Sequence, residues 1–384
     1  MNFLKALSVK TNMKQFLVFI CILIFNSGFA QSLNWHQEEF VRKVNPDSLM
    51  KFIITHQSFG LKNDTSQAVA NAGIEIESFL KRYGYTVSRD SFKLQGNDLF
   101  NVIGEKNGTK NPDKIMLLLA HYDSYRGPGA NDNGSGVSIL KEMARALATY
   151  SPAYTLRFCF FSAEESGFHG SIQYAGNVVH KKNENVFLVF NIDQVGGNSN
   201  QNSNRIYCER DESEPLGANS KSFDYTDTLA HFISNYTSLE PILARAWGSD
   251  YMPFQDLDYV ITGLYESPKS PFTHSLNDSA SKINLSYLSE VAKGSMAATV
   301  YFAAYQKDLA GRPELPQDIE LTVYQNQNNL NFKISGQDEW NVQITDLNGR
   351  ILRTFDFREQ FSLSIDNLGI TSNSLLIAHF RNRN

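Results

Sequence analysis

A handful of side chains in this chain have the chemistry of metal ligands or proton carriers: His121 with Asp123, Asp132, the pair Glu164-Glu165, Asp193 and His274. His121 and Asp123 close an apolar run, Ile115 to Ala120. Because strand side chains alternate, both project on one side of that strand's end. Glu164-Glu165 follows LRFCFFSA, Asp193 follows the apolar stretch Val186 to Ile192, Asp132 lies in the loop GPGANDNGSG, and His274 sits on a later loop. Two imidazoles and several carboxylates gathered from separate elements suit a metal ion with mixed nitrogen and oxygen ligands, zinc above all. Each piece alone is weak, since an adjacent Glu pair is usually solvated surface and Asp-Asn-Gly is usually a turn. Their order and context together favour a metal site.

The elements that must position these groups follow from the apolar pattern. Uncharged runs at Ile115–Ala120, Thr155–Ser162 and Val186–Ile192 read as strands buried on both faces of a sheet. Another strand is expected at Asp98–Gly104, and a last one at Tyr259–Tyr265. Val137, Leu140, Ala144 and Leu147 recur at helical spacing after the Asp132 loop, as do Leu285, Leu288, Ala292 and Met296 near residue 290. Residues Glu38 to Val87 read as mainly helical, with Ile74, Phe79 and Leu80 on an apolar face and Gly84 as a stop. Gly197 to Ser222 is polar and aperiodic and is expected to wrap the surface, with a helix near Tyr225–Tyr236 after it. Strand–helix alternation of this kind predicts an α/β protein: a three-layer α/β/α sandwich around a mostly parallel mixed sheet. Ligands bind such sheets at the carboxyl ends of the strands, where these polar groups lie.

Composition sets the outer bounds. The chain has 384 residues and a net charge of −5, with no basic tract, which gives no reason to expect nucleic acid. Three cysteines are too few for a disulfide scaffold. Cys21 lies in an N-terminal apolar segment. Cys159 falls in an apolar strand, where its default role is that of a small hydrophobe, and Cys208 in a polar loop; a bridge between the two is the minor alternative.

Residues 1–30 carry a lysine, the apolar run Phe16 to Phe25 and the small-residue end Ser27-Gly28-Phe29-Ala30, the pattern of a secretory signal peptide. The run is shorter than the ~20 residues that cross a bilayer, so no membrane span is expected after cleavage. Met13 is an alternative start. Residues 31–309 are expected to form the domain that carries these ligand-type residues, 310–320 a linker around Gly311-Arg312-Pro313, and 321–384 a small all-β domain with short alternating strands and a turn at Asn348-Gly349. The expected location is outside the cytoplasm: extracellular, cell-surface or periplasmic.

The segments AHYDS, GPGANDNGSG, LRFCFFSAEESGFHGS, FNIDQVG, WGSDYMPF and FTHSLNDS occur here in that order. In them the chain resembles the co-catalytic zinc aminopeptidases of peptidase family M28, relatives of the glutamate carboxypeptidases and glutaminyl cyclases. The likeness runs from about residue 50 to 305. It implies two zinc ions per chain sharing Asp132, with His121 and Asp193 completing one site and Glu165 and His274 the other. A shared carboxylate makes sense because cations ~3.5–4 Å apart repel unless an anion lies between them. Glu164 is implied as the general base that takes a proton from the metal-bridged water and hands it to the leaving amine. Asp123 is expected to fix the tautomer of His121 and Asp278 that of His274. The implied substrates are peptides, cleaved at the N-terminal residue.

Departures from the family pattern leave oxyanion stabilisation unassigned. Thr273 stands where some relatives have a tyrosine, and Ser249-Asp250-Tyr251 where Ser-Asp-His is usual. Tyr251, Trp247 and Tyr265 are the substrate-binding candidates, and Trp247, Phe254 and Phe272 could line a side-chain pocket, although aromatics there are more often core. The alternatives are a glutaminyl-cyclase-like acyltransferase with one zinc, a carboxypeptidase or dipeptidase of the same family, or a non-catalytic binding protein, which would be expected to have a broken ligand set. The segments VQITDLNGRILRTF and LSIDNLGITSNSLLIAHF resemble the C-terminal sorting domains of type IX secretion substrates, implying a secretion machinery as partner.

Overall fold

The computed structural model describes residues 22–25, 37–197, 203–213, 217–304, and tail strands within 321–382. The chain divides into two units, His36–Tyr305 and Met1–Trp35 with Gln306–Asn384.

The larger unit is built on an eight-stranded sheet. In chain order the strands are β1 Thr86–Leu94, β2 Asn97–Lys106, β3 Asn111–His121, β4 Tyr154–Phe161, β5 Asn185–Ile192, β6 Arg205–Arg210, β7 Glu240–Arg245 and β8 Ile261–Ser267. Their spatial order is β1-β2-β4-β3-β5-β8-β6-β7. The central run β4-β3-β5-β8 is parallel throughout, while the β1–β2, β2–β4 and β8–β6 pairings are antiparallel. Leu119 pairs with Cys159 on one side and Asn191 on the other, so β3 lies inside that run.

Alternation along these strands divides the core into two layers. Met116, Leu118 and Ala120 pack in one apolar cluster with Leu156, Phe158, Leu188 and Phe190. Ile115, Leu117 and Leu119 point the other way, into a second cluster with Phe161, Val189, Tyr251 and Phe254. Helices α1 Pro46–Gln57, α2 Gln67–Arg82, α3 Gly134–Ala146, α4 Asn219–Tyr236 and α5 Leu285–Phe302 cover the first face. A helical segment, His169–Gln173 continuing as a π-helix to His180, and the turn Met252–Gln255 cover the second. The helices start where side chains can cap them: Asn45, Ser66, Asn133 and Asn284 each accept a backbone N–H of the first turn of α1, α2, α3 and α5. The three-layer α/β/α arrangement thus stands as expected.

Three local expectations change. Thr86–Leu94 is a strand, an antiparallel partner of β2, where a helix was expected to run on to Val87. β6 sits inside the Gly197–Ser222 segment that polarity assigned to the surface; three of its six residues are charged, which hides its apolar half. β7 adds an edge strand where no element was expected, its residues exposed or half-exposed despite the apolar stretch Pro241 to Ala244. Ile74 is 45% exposed rather than core, whereas Phe79 and Leu80 are buried. Gly84 ends α2's turn with φ +80, a conformation that favours glycine.

Cys159 and Cys208 are free, buried thiols on opposite faces of the sheet, so the alternative of a bridge is excluded.

In the smaller unit, Ile22–Phe25 pairs with Ile377–Asn382, which pairs in turn with Trp340–Thr345 and then Ile351–Phe357. Leu321–Asn326, Asn329–Ile334 and Gln360–Ser364 form a three-stranded antiparallel sheet. Most of the expected signal segment, the linker 310–320 and the Asn348-Gly349 turn lie outside the described residues. Among the described residues no helix is long and apolar enough to cross a membrane.

Candidate metal centre

Because β4, β3, β5 and β8 run parallel, their carboxyl ends share one edge of the sheet, and that edge gathers the expected groups. His121 ends β3, Glu164 and Glu165 follow β4, and Asp193 follows β5. Asp132 enters from the loop before α3. Asn133 anchors this loop: its side-chain amide donates to the Ile192 carbonyl (2.9 Å), and its Oδ1 accepts the N–H of Gly136 (2.8 Å) and of Gln194 (3.2 Å). Gly136 is required here, since a Cβ would lie 2.2 Å from the Ile192 carbonyl oxygen.

His121 Nε2 lies 3.4 Å from Asp132 Oδ1 and 3.4 Å from Asp193 Oδ1, and 3.9 Å from Glu164 Oε2. His274 Nε2 lies 3.1 Å from Asp132 Oδ2 and 3.0 Å from Glu165 Oε2. Each oxygen of Asp132 therefore faces a different histidine. The ligand atoms form two groups, His121–Glu164–Asp193 and Asp132–Glu165–His274, each within 4.8 Å. The neighbours Glu164 and Glu165 diverge, one to each group. Distance alone does not separate ligand from base in the first group, since Glu164 is only 0.5 Å farther from His121 than the two aspartates are.

The groups around these side chains orient them. Asp123 stands 3.4 Å from His121 Nδ1, longer than a good hydrogen bond, and its two oxygens accept the backbone N–H groups of Glu164 (3.2 Å) and Glu165 (3.1 Å). It thus fixes the Glu pair as well as flanking the histidine. Asp278 does not serve His274 as expected; its carboxylate accepts the N–H of Asn131 (2.7 Å) and Asp132 (3.0 Å) and holds the Asp132 loop instead. Ser249 donates to Asp193 Oδ2 (2.6 Å) and accepts from the Asn191 amide (2.8 Å). Lys62, fully buried, donates to the carbonyls of Gly60 (3.0 Å) and Pro128 (2.5 Å) behind the loop; burial lowers its pKa to about 8, with Asp123 and Asp278 pulling the other way. Sequence reasoning missed Ser249 as an orienting group, together with Asn191 and Lys62. A polar residue within an otherwise apolar strand, such as Asn191 in FLVFNI, was the available signal.

The substrate-binding candidates part company. Tyr251 is fully buried and its hydroxyl donates to Glu209 (2.7 Å), so it is not free to hold a developing oxyanion. Phe254 is core. The Trp247 side chain is exposed (83% for the residue), and its backbone N–H donates to the Tyr251 hydroxyl (2.8 Å). Tyr265 is half-buried; burial and then the carboxylates of Asp193 and Asp132 hold its hydroxyl pKa far above normal, which places it in their field. Thr273 is engaged, accepting from the Gln194 amide (2.8 Å) and donating to the Ser270 carbonyl (2.9 Å). Tyr125, which no motif marked, packs edge-on against the His274 ring at 5.2 Å.

The electrostatics are those of an anionic cluster. Burial lifts Glu165 to about 8 and Glu164 well above the usual carboxylate range, with neighbouring carboxylates adding to both. Burial opposes protonation of His121, but Glu164, Asp193, Asp123 and Asp132 outweigh it and hold its pKa well above normal. Several buried atoms here, His121 Nδ1 and Nε2, Glu165 Oε1 and Asp193 Oδ1, have no hydrogen-bond partner. Buried polar atoms are rarely left so. Four carboxylates, two imidazoles and these orphaned atoms fit a pair of divalent cations with nitrogen and oxygen ligands.

The model of Peptidase family M28 matches residues 101–299. The chain belongs to that family. Aminopeptidase YwaD of Bacillus subtilis is 32% identical over 216 residues, 54% of this chain and 45% of that protein. Aminopeptidase Y of Saccharomyces cerevisiae is 34% identical over 188 residues, 48% of this chain and 32% of that one. The chain thus spans about half or less of the length of these two relatives. Among solved structures, BSAP, a zinc aminopeptidase from Bacillus subtilis, superposes with a TM-score of 0.61 at 17% identity, covering 69% of this chain and 96% of that one. Likeness at that identity shows the shared fold and nothing more of this family member.

Proposed function

We propose that this chain is a zinc-dependent exopeptidase, an aminopeptidase that removes N-terminal residues from peptides. The observation that carries the reading is Asp132, with Oδ1 turned to His121 and Oδ2 to His274. The names of the M28 relatives, aminopeptidases among them, agree with it. His121, Asp132 and Asp193 would hold one zinc, and Asp132, Glu165 and His274 the other. When bound, such a pair supplies Lewis acidity to a carbonyl and lowers the pKa of water from about 15.7 to roughly 7.

The remaining work falls to the chain. Glu164, buried beside His121, accepts a proton from the attacking water and returns it to the departing amine. Asp123 keeps Glu164 turned to its task while Glu165 stays on the other group, because its carboxylate grips both backbone N–H groups. Ser249 orients Asp193, and Asp278 steadies Asp132. Tyr265 is the remaining candidate to face the reacting carbonyl.

Metal analysis with hydrolysis of aminoacyl-nitroanilides by wild type and Glu164→Gln tests this. We expect two zinc ions in both proteins and a kcat about 10²–10⁴-fold lower in the variant. Robust activity in the variant would refute the assigned base. One zinc per chain together with cyclisation of N-terminal glutamine would overturn the peptidase reading in favour of a cyclase. N-acetylated peptides should resist cleavage; if they are trimmed from the carboxyl end, the enzyme is a carboxypeptidase. We also read residues 1–30 as an export signal and 321–384 as a sorting tail engaged by secretion machinery. The secreted protein should then begin at Gln31.

A further inference from the structure

Glu266, at the end of β8, has no part in the roles above, yet its carboxylate is fully buried beside them. Its Oε1 accepts from the Asn131 amide (2.9 Å), the Gln194 amide (2.8 Å) and the backbone N–H of Ser270 (2.7 Å). Its Oε2 accepts from the Asn131 amide (3.1 Å) and the N–H of Gly197 (2.7 Å). The Gln194 amide reaches on to Thr273 Oγ1 (2.8 Å). Each side-chain partner is the chain neighbour of a group in the metal centre. Asn131 precedes Asp132, Gln194 follows Asp193, and Thr273 precedes His274.

We propose that Glu266 is a positioning residue that sets the relative placement of Asp132, Asp193 and His274, and through them the affinity of the centre for its two metal ions. The proposal rests on the dizinc reading and adds a group outside its ligand set. The three segments come from different parts of the chain and share no strand pairing with one another at these residues. One carboxylate with two lone-pair-bearing oxygens can take donors from all of them at once, which no neutral side chain of that shape can do. Neighbouring residues along the chain are about 3.8 Å apart, so fixing Asn131 or Gln194 leaves the adjoining ligand little freedom. Sites of this kind need ligands held to within about 0.5 Å. The cost of burying Glu266 shows in a pKa raised to about 7, which the bonds from Gln194, Ser270, Gly197 and Asn131 oppose.

The experiment uses the full chain, stripped of metal and titrated with zinc against a chromophoric chelator, in wild type, Glu266→Gln and Thr273→Val. Glutamine keeps the shape but turns an N–H₂ group towards donors that need an acceptor. Thr273→Val, at a half-buried position, cuts the link from Gln194 to the His274 loop, together with the local bond to the Ser270 carbonyl, and leaves the Ser270 N–H on Glu266. Thermal unfolding of the metal-free proteins identifies the temperature at which each is folded, and the titrations are made below it. We expect two zinc equivalents in wild type. Glu266→Gln should bind them about 10–100-fold more weakly. Thr273→Val should lose less, and on one equivalent only. The visible spectrum of the cobalt-loaded Glu266→Gln chain should also shift, which a variant that was merely less stable would not show. Wild-type affinities for both equivalents in both variants would overturn the proposal alone. A wild-type chain taking up fewer than two equivalents would overturn the dizinc reading and this proposal with it. If Glu266→Gln does not fold, an unchanged Thr273→Val counts against the proposal and a weakened one for it.

Discussion

Asp278 holds Asp132 by its backbone: one carboxylate oxygen accepts the N–H of Asp132 at 3.0 Å and the other that of Asn131 at 2.7 Å. The carboxylate of Asp132 is left free to face His121 and His274 because its own main chain is tied down from behind. In Asp278→Asn an amide group would meet one of those N–H groups, donor against donor. Zinc affinity should fall about 10–100-fold, the usual effect of losing an outer partner, and chelator competition reads it directly.

Gly136 tests how tightly α3 must seat against the end of β5. A methyl group there would press on the Ile192 carbonyl, the residue before Asp193. Gly136→Ala should cost about 1–3 kcal/mol, seen as a drop of several degrees in Tm. It should also weaken zinc binding, because the strand end that yields leads into Asp193.

Glu209 gives a pH dependence with a definite sign. Burial raises its pKa from 4.5 to about 8, against the hydrogen bond from Tyr251. Between those values the folded chain keeps a proton that the unfolded chain has released. Its contribution is therefore complete below pH 4.5 and is lost as the pH rises through 8. Glu209→Gln keeps an oxygen for the tyrosine and does not titrate. Calorimetry of the metal-free chains should show wild type losing more Tm than the variant between pH 6 and 9, by about 3 °C for each kcal/mol involved. An equal loss in both would mean that Glu209 is ionised in the folded chain.

The thiols of Cys159 and Cys208 are buried and face opposite sides of the sheet, and burial raises the pKa of both. Neither should react with a thiol reagent in the native chain, and both should react once it is unfolded without reductant. Reductant should leave Tm unchanged.

Much of the centre was legible because local rules write it. Apolar alternation marks β3, β4 and β5, and the polar residues that end them are fixed by the same period of two. The helix after Asp132 is announced by its spacing and by Asn133 at its start. The pairing of His121 with its neighbours needed only the parallel order of those strands. β6 escaped because three charges in six residues mask its buried positions, and β7 because its apolar stretch, Pro241 to Ala244, is short and opens on a proline.

What the amino-acid order determined by itself was which residues stand at strand ends and which types of ligand they offer. The tertiary structure alone decided which of them come within reach of one another and what holds them there. Asp278 reaches Asp132 across 146 residues, and Glu266 reaches Asn131 across 135. The second of these depends on β8 lying beside β5, an order set by the packing of the whole sheet and not by any local period. For the same reason Tyr251, which its motif offered to the substrate, was claimed by Glu209: a buried hydroxyl and a buried carboxyl are each costly without a partner, and the sheet brings the two together.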